Sequence, residues 1–228
     1  MNAHSSDPWP LADARFSGVL FDNDGTLVSS IDAVVQCWLE WARELDVDPA
    51  GLVNMHGITA VDLVRRLVPA DRYEYALQRI NEIEAACEIP IEVLPGSVRA
   101  LETLGDRCAI VTSAKADLFR RRAHGTGIPV PAVVVTAEDV HNGKPDPEGF
   151  LLGARRLGVP PQRCLVVEDA PAGVQAGHAA GALVLGIESH FDARTDIAGS
   201  LAAEAVVPNL DAVRFVLDGD EIAVRLGA

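Results

Sequence analysis

Two aspartates one residue apart, Asp22 and Asp24, end an apolar run in the stretch VLFDNDGTLVSS. Alternate residues of a strand share a face, so both carboxylates project into the same space. Like charges that close repel, and burying either one alone is costly. A cation, a shared proton or water has to offset that cost. Similar groups close the later apolar runs: Thr112 and Ser113 after CAIV, and Glu168 and Asp169 after CLVV. Between them the turn sequence NGKPDP supplies Lys144. Carboxylates gathered at one point suit a hard divalent cation such as Mg²⁺. Lysine and hydroxyl, with backbone N–H groups, suit a phosphoryl group. One carboxylate can then attack phosphorus, and a second, two residues on, can protonate the leaving oxygen.

These groups meet only if their strands run parallel. SGVLF reads as a short buried strand ended by turn chemistry. From Ser30 the period changes to that of a helix. Val34, Trp38, Trp41 and Leu45 recur at three- and four-residue spacing, with Ser29 or Ser30 placed to cap. Helical patterns follow over Thr59 to Val68 and about Asp71 to Glu88. After LPGS, strands alternate with helices: strands at CAIVTS, AVVVTA, CLVVED, ALVLGI and AVV, with helices near residues 116–124, 147–157 and 170–180. Such alternation implies a parallel sheet covered by helices on both faces. The last apolar runs, on either side of Asp218-Gly219, read as a hairpin. The expected class is therefore α/β, a Rossmann-like parallel sheet with an all-helical insert after its first strand. Residues 1–16 are expected to be a tail, 17–29 and 95–228 the α/β core, and 30–94 the helical cap. Ligands of open α/β sheets bind at the C-terminal strand ends, beneath such an insert.

Composition narrows the partners. A net charge of -14 argues against nucleic acid and anionic membranes, both of which want a basic face. No apolar run approaches the ~20 residues needed to span a bilayer. The first residues resemble no signal peptide, so a cytoplasmic location is expected. Cys37, Cys87, Cys108 and Cys164 are widely spaced and read as reduced thiols. A small phosphorylated metabolite is the expected partner, and a monomer or weak homo-oligomer the expected state.

FDNDGTLVSS, IVTSA, GKPDPEGF and VVEDAPAGVQAGHAAG, in that order, resemble the four motifs of the haloacid dehalogenase superfamily. The insert resembles the small helical cap of its β-phosphoglucomutase-like and sugar-phosphatase branch. The resemblance implies Asp22 as nucleophile and Asp24 as general acid and base. It implies Mg²⁺ held by Asp22, the Asp24 backbone carbonyl and Asp169, with Glu168 at or near the metal. Thr112, Ser113 and Lys144 would bind the phosphoryl group. His56, Gly57, Thr59, Asp62 and Lys115 would face the rest of the substrate. Dehalogenases lack the second aspartate, and phosphonatases replace it and use a cap lysine, whereas residues 30–90 contain none. The implied activity is Mg²⁺-dependent hydrolysis of a small sugar or polyol phosphate through an aspartyl phosphate. A phosphomutase and a non-catalytic sugar-phosphate-binding protein are the alternatives. One departure is Ser29, where the family pattern usually has aspartate.

Other features read as structural. Asp-Gly clusters alone mark turns, and Gly25 with Ala33 breaks the EF-hand pattern. Arg120 to Arg122 reads as a solvated helix face, and Trp38 and Trp41 as core. Gly173, Gly177 and Gly181 read as close helix–sheet packing. The histidines lack metal-ligand spacing, and neither glycine-rich nucleotide motif occurs.

Overall fold

A computed structural model describes residues 9–53, 55–188 and 203–227. The first strand, β1 (Gly18–Phe21), leads into three helices, α1 (Ile31–Leu45), α2 (Ala60–Leu67) and α3 (Tyr73–Ala86). Then follow α4 (Ser97–Leu104), β2 (Cys108–Val111), α5 (Ala116–Thr126), β3 (Val133–Val135) and α6 (Glu148–Leu157). The chain continues through β4 (Cys164–Glu168), α7 (Pro171–Ala179), β5 (Leu183–Ile187), β6 (Ala205–Val207), β7 (Val213–Asp218) and β8 (Glu221–Leu226).

Six strands form one parallel sheet in the order β3-β2-β1-β4-β5-β6. The order reverses at β1, which pairs with β2 on one side and β4 on the other. That reversal opens the crevice in which open α/β sheets bind ligands. Apart from Glu168 at the end of β4, these strands are apolar because both faces are covered. Val19, Phe21, Ile110, Leu165 and Val167 face one core with α4, α5 and the β7–β8 hairpin. Leu20, Val111 and Val166 face another with Phe150 of α6 and Val174 of α7. Gly177 lets α7 approach, since a Cβ there would lie 2.9 Å from Val184.

The helices α1 to α3 share a third cluster around Trp41, Leu63 and Ile80. Trp41 is fully buried and satisfies its indole by donating to the Ala76 carbonyl at 2.8 Å. The hairpin pairs Asp218 with Glu221 across Gly219-Asp220. Gly219 takes the left-handed conformation, φ 57°, that tight two-residue turns require.

Three details differ from the sequence reading. The helix α4, formed from SVRALETL, carries its own buried stripe of Ala100, Leu101 and Leu104. Its eight residues are too short for a distinct periodic signal beside LPGS. Neither serine caps α1 with its side chain. Ser30 sits with helical φ and ψ and donates its hydroxyl to Asp24, while Ser29 Oγ accepts from Glu92 N at 2.9 Å. The segment before β1 is also anchored. Leu11 is fully buried, and Phe16 exchanges backbone hydrogen bonds with Ile222 of β8.

Candidate active site

Parallel strands deliver their C-terminal ends to one edge of the sheet, and the polar groups follow. Asp22 leaves β1 with its N–H on the Val167 carbonyl at 2.9 Å, so β4 fixes its backbone. Thr112 leaves β2 with its N–H on Val135 O, also at 2.9 Å. Glu168 ends β4, Asp169 follows it, and the loop after β3 carries Lys144 to the same point.

Lys144 Nζ lies 2.5 Å from Asp22 Oδ1 and 2.7 Å from Glu168 Oε1, over the ring of Phe150. All three charged side chains are buried. The second oxygen of Glu168 accepts from the N–H groups of Asp169 and Ala170, each at 2.8 Å. Both Glu168 oxygens are thus engaged, one by Lys144 and the other by the N–H groups at the start of α7. Asp169 accepts from Thr26 Oγ1 at 3.2 Å.

Asp22, Glu168 and Asp169 bring one oxygen each within 4.8 Å of one another. One lysine cannot neutralise three buried carboxylates. Burial pushes Asp22 up to about 7 against the pull of Lys144, with Glu168 and Asp24 adding to the rise. Burial raises Asp169 as well, reinforced by Glu168 and Asp22. Two glycines make room for the cluster. A Cβ on Gly25, whose φ is 94°, would lie 2.2 Å from Asp169 Oδ2. One on Gly173 would lie 1.6 Å from Glu168 Oε1. Gly173 therefore does more than pack a helix on the sheet. A set of hard oxygens with surplus negative charge, in a cradle any side chain would fill, fits a divalent cation.

Asp24 is turned the other way. Its Oδ1 accepts from Arg122 Nη1 at 2.6 Å and from Ser30, and its Oδ2 from Thr112 Oγ1 at 3.3 Å. Burial would raise its pKa, but Arg122 first, then Ser30 and Thr112, outweigh it and hold the carboxyl below the usual range. Arg122 is buried, which corrects the reading of residues 120–122 as one solvated face. Arg120 and Arg121 are exposed. A signal was present: Leu118, Phe119, Arg122 and Ala123 share the buried stripe of α5.

Above this edge lies a cavity of about 80 Å³ between the sheet and α1 to α3. Asp22, Asp24, His56, Gly57, Thr59, Ser113 and Lys115 line it. Gly57, with φ 77°, accepts from Ser113 Oγ at 2.7 Å. This ties the loop before α2 to the end of β2 and occupies the Ser113 side chain. Burial pushes the His56 imidazole down to about 4, so it is neutral near pH 7. Thr59 and Asp62 are engaged with each other at the start of α2. Thr59 Oγ1 donates to Asp62 Oδ2 at 2.7 Å and accepts from the Asp62 N–H. Asp62 also pairs with Arg65 and lies outside the cavity lining. Helix capping uses the group that the sequence offered for substrate contact. Asn81 and Glu84 of α3 line the cavity and were not singled out in the sequence. Nothing in the chain places α3 over the strand ends until the three helices pack.

No helix among the described residues is long and apolar enough to cross a membrane. Residues 16–181 match the model of the haloacid dehalogenase-like hydrolases. Hexitol phosphatase A of Escherichia coli is 43% identical over 185 residues, 78% of this chain and 86% of that protein. Glycerol-1-phosphate phosphohydrolase 2 of Saccharomyces cerevisiae is 30% identical, over 88% of this chain and 85% of its own. The crystal structure of a hydrolase from Pseudomonas syringae superposes with a TM-score of 0.69 at 26% identity. It covers 85% of this chain and 93% of that one.

Proposed function

The chain belongs to the haloacid dehalogenase-like hydrolases, and on that premise we propose that it hydrolyses a small sugar or polyol phosphate monoester. The observation that carries this reading is the buried contact of Lys144 with Asp22, 2.5 Å long, inside a cluster of acids that one lysine leaves undercompensated. Relatives named for hexitol and glycerol phosphates support the substrate class.

Asp22 is the nucleophile. Its free oxygen attacks phosphorus to give an aspartyl phosphate, while Lys144 keeps the other oxygen and offsets charge. Thr112, with Lys144 and backbone N–H groups near Ser113, holds the phosphoryl oxygens. Asp22 and Asp169, with the Asp24 backbone carbonyl, would hold Mg²⁺, and Glu168 would hold Lys144 beside them. When bound, the ion supplies charge neutralisation for the phosphoryl oxygens beside the Asp22 carboxylate. Asp24 protonates the departing alkoxide, then takes a proton from the water that hydrolyses the acyl phosphate. Arg122, Ser30 and Thr112 hold Asp24 ionised, the form the second step uses. A phosphoryl dianion placed beside it favours the protonated form, the one the first step uses. Residues 30–94 act as a cap that closes over the non-phosphate part of the substrate.

The test is phosphate release from a panel of sugar and polyol phosphates, with Mg²⁺ and with EDTA, alongside Asp22→Asn. The expected result is metal-dependent release that the variant loses. Turnover retained by purified Asp22→Asn, or silence of the wild type across the panel, would overturn the reading.

A further inference from the structure

The cavity over Asp22 and Asp24 has one wall made by α3, and Asn81 and Glu84 stand on it. Three residues apart on a helix, they share a face. The Glu84 carboxylate accepts no hydrogen bond from any described residue, although it is only partly exposed. Burial raises its pKa, Asp24 adds to the rise, and Arg122 and Lys115 pull the other way. Asn81 donates one amide proton to Leu77 O at 2.6 Å, which leaves its carboxamide oxygen as an acceptor.

A half-buried carboxylate beside the reacting acids has no use for the phosphoryl end of the substrate. That end is an anion, and Lys144 and Thr112 lie at the strand ends to receive it. What Glu84 lacks is donors, and a chain of hydroxyl groups supplies them. Two adjacent O–H groups match the two oxygens of one carboxylate. Trp38, Val34 and Leu118 on the same cavity give the carbon chain an apolar surface. Such a mixture of apolar lining and a few placed polar groups is how small-ligand pockets fix orientation.

We propose that Glu84 and Asn81 recognise adjacent hydroxyl groups of the substrate's carbon chain, making a polyhydroxylated ester preferred over a simple alkyl phosphate. The assignment rests on the phosphomonoester reading above. A site built to bond hydroxyls rejects the analogue lacking them, because its polar groups are then left unpaired.

The experiment compares wild type and Glu84→Ala on glycerol 1-phosphate, sorbitol 6-phosphate and n-propyl phosphate. The substitution should lower kcat/KM for the two polyol phosphates at least about tenfold, the size expected for hydrogen bonds to a charged group. The loss should lie mainly in KM, with propyl phosphate unchanged. Equal loss on all three, or none on any, would overturn the proposal. A second measurement separates it from the phosphatase reading. Calorimetric titration of Asp22→Asn and Asp22→Asn/Glu84→Ala with the same three compounds needs no turnover. If wild type releases no phosphate, the hydrolase reading falls, and Glu84 is then judged by binding alone. Selective loss of sorbitol 6-phosphate binding in the double variant sustains it. Equal affinity in both variants, or no binding to either, removes it.

Discussion

The guanidinium of Arg122 and the carboxylate of Asp24 form a buried ion pair, Nη1 to Oδ1 2.6 Å, joining α5 to the turn after β1. With Ser30 and Thr112 it fixes which way Asp24 points. Arg122→Ala should lower stability by about 2 kcal/mol, the scale of a lost hydrogen bond to a charged group. For a chain of this size that is a Tm drop of roughly 4–8 °C. Turnover should fall at least about tenfold even at temperatures where the variant is folded, because the proposed mechanism has Asp24 transfer the proton, and a loosened proton-transfer group costs rate. Calorimetry and kinetics on one preparation check both, and wild-type kcat would remove Arg122 from the positioning of Asp24.

Gly173 lies outside the cavity lining, yet a Cβ there would meet Glu168 Oε1 at 1.6 Å, with the carboxylate carbon at 1.9 Å. Glu168 must move, and with it Lys144 and the N–H groups of Asp169 and Ala170. Gly173→Ala should weaken Mg²⁺ binding about 10–100-fold, as loss of outer-shell support does elsewhere. Titrating activity against Mg²⁺ for the two proteins measures it. An unchanged Mg²⁺ half-saturation would show that Glu168 does not order the cluster.

A cation bound among Asp22, Asp169 and their neighbours, as proposed, would relieve the crowding of buried carboxylates in the folded chain alone. Mg²⁺ at about 100 times its Kd should then add about 2.7 kcal/mol of stability. Thermal unfolding with and without the ion should show the rise, and Asp169→Asn should abolish it. The same rise in that variant would place the ion elsewhere.

His56 is driven by burial from its ordinary value of 6.5 to about 4. The unfolded chain binds the proton first as pH falls, so the folded state loses ground there. The contribution of neutral His56 is fully present above pH 6.5 and disappears as pH falls toward 4. His56→Gln should therefore narrow the Tm difference between pH 7.5 and pH 5. An identical difference in both proteins would show that the imidazole is not what senses acid here.

The sequence alone determined the sheet, its helices other than α4, and the groups at the strand ends. Short apolar runs ended by Asp, Thr and Glu carry their meaning locally, because a strand's C-terminal residue leaves the sheet wherever the strand lies. Asp22, Thr112, Glu168 and Asp169 meet for that reason, and the loop after β3 brings Lys144 to them. What only the tertiary structure decided is how the remaining side chains are spent. Asp62 bonds to Thr59 and Arg65, and Ser30 bonds to Asp24 in place of a helix N–H. Arg122 turns from solvent to Asp24, and Glu84 comes over the cavity although its helix begins far from any site motif. These outcomes depend on neighbours distant in the chain, since a polar side chain bonds the best partner that packing brings within reach. The spacing along one strand or helix cannot name that partner.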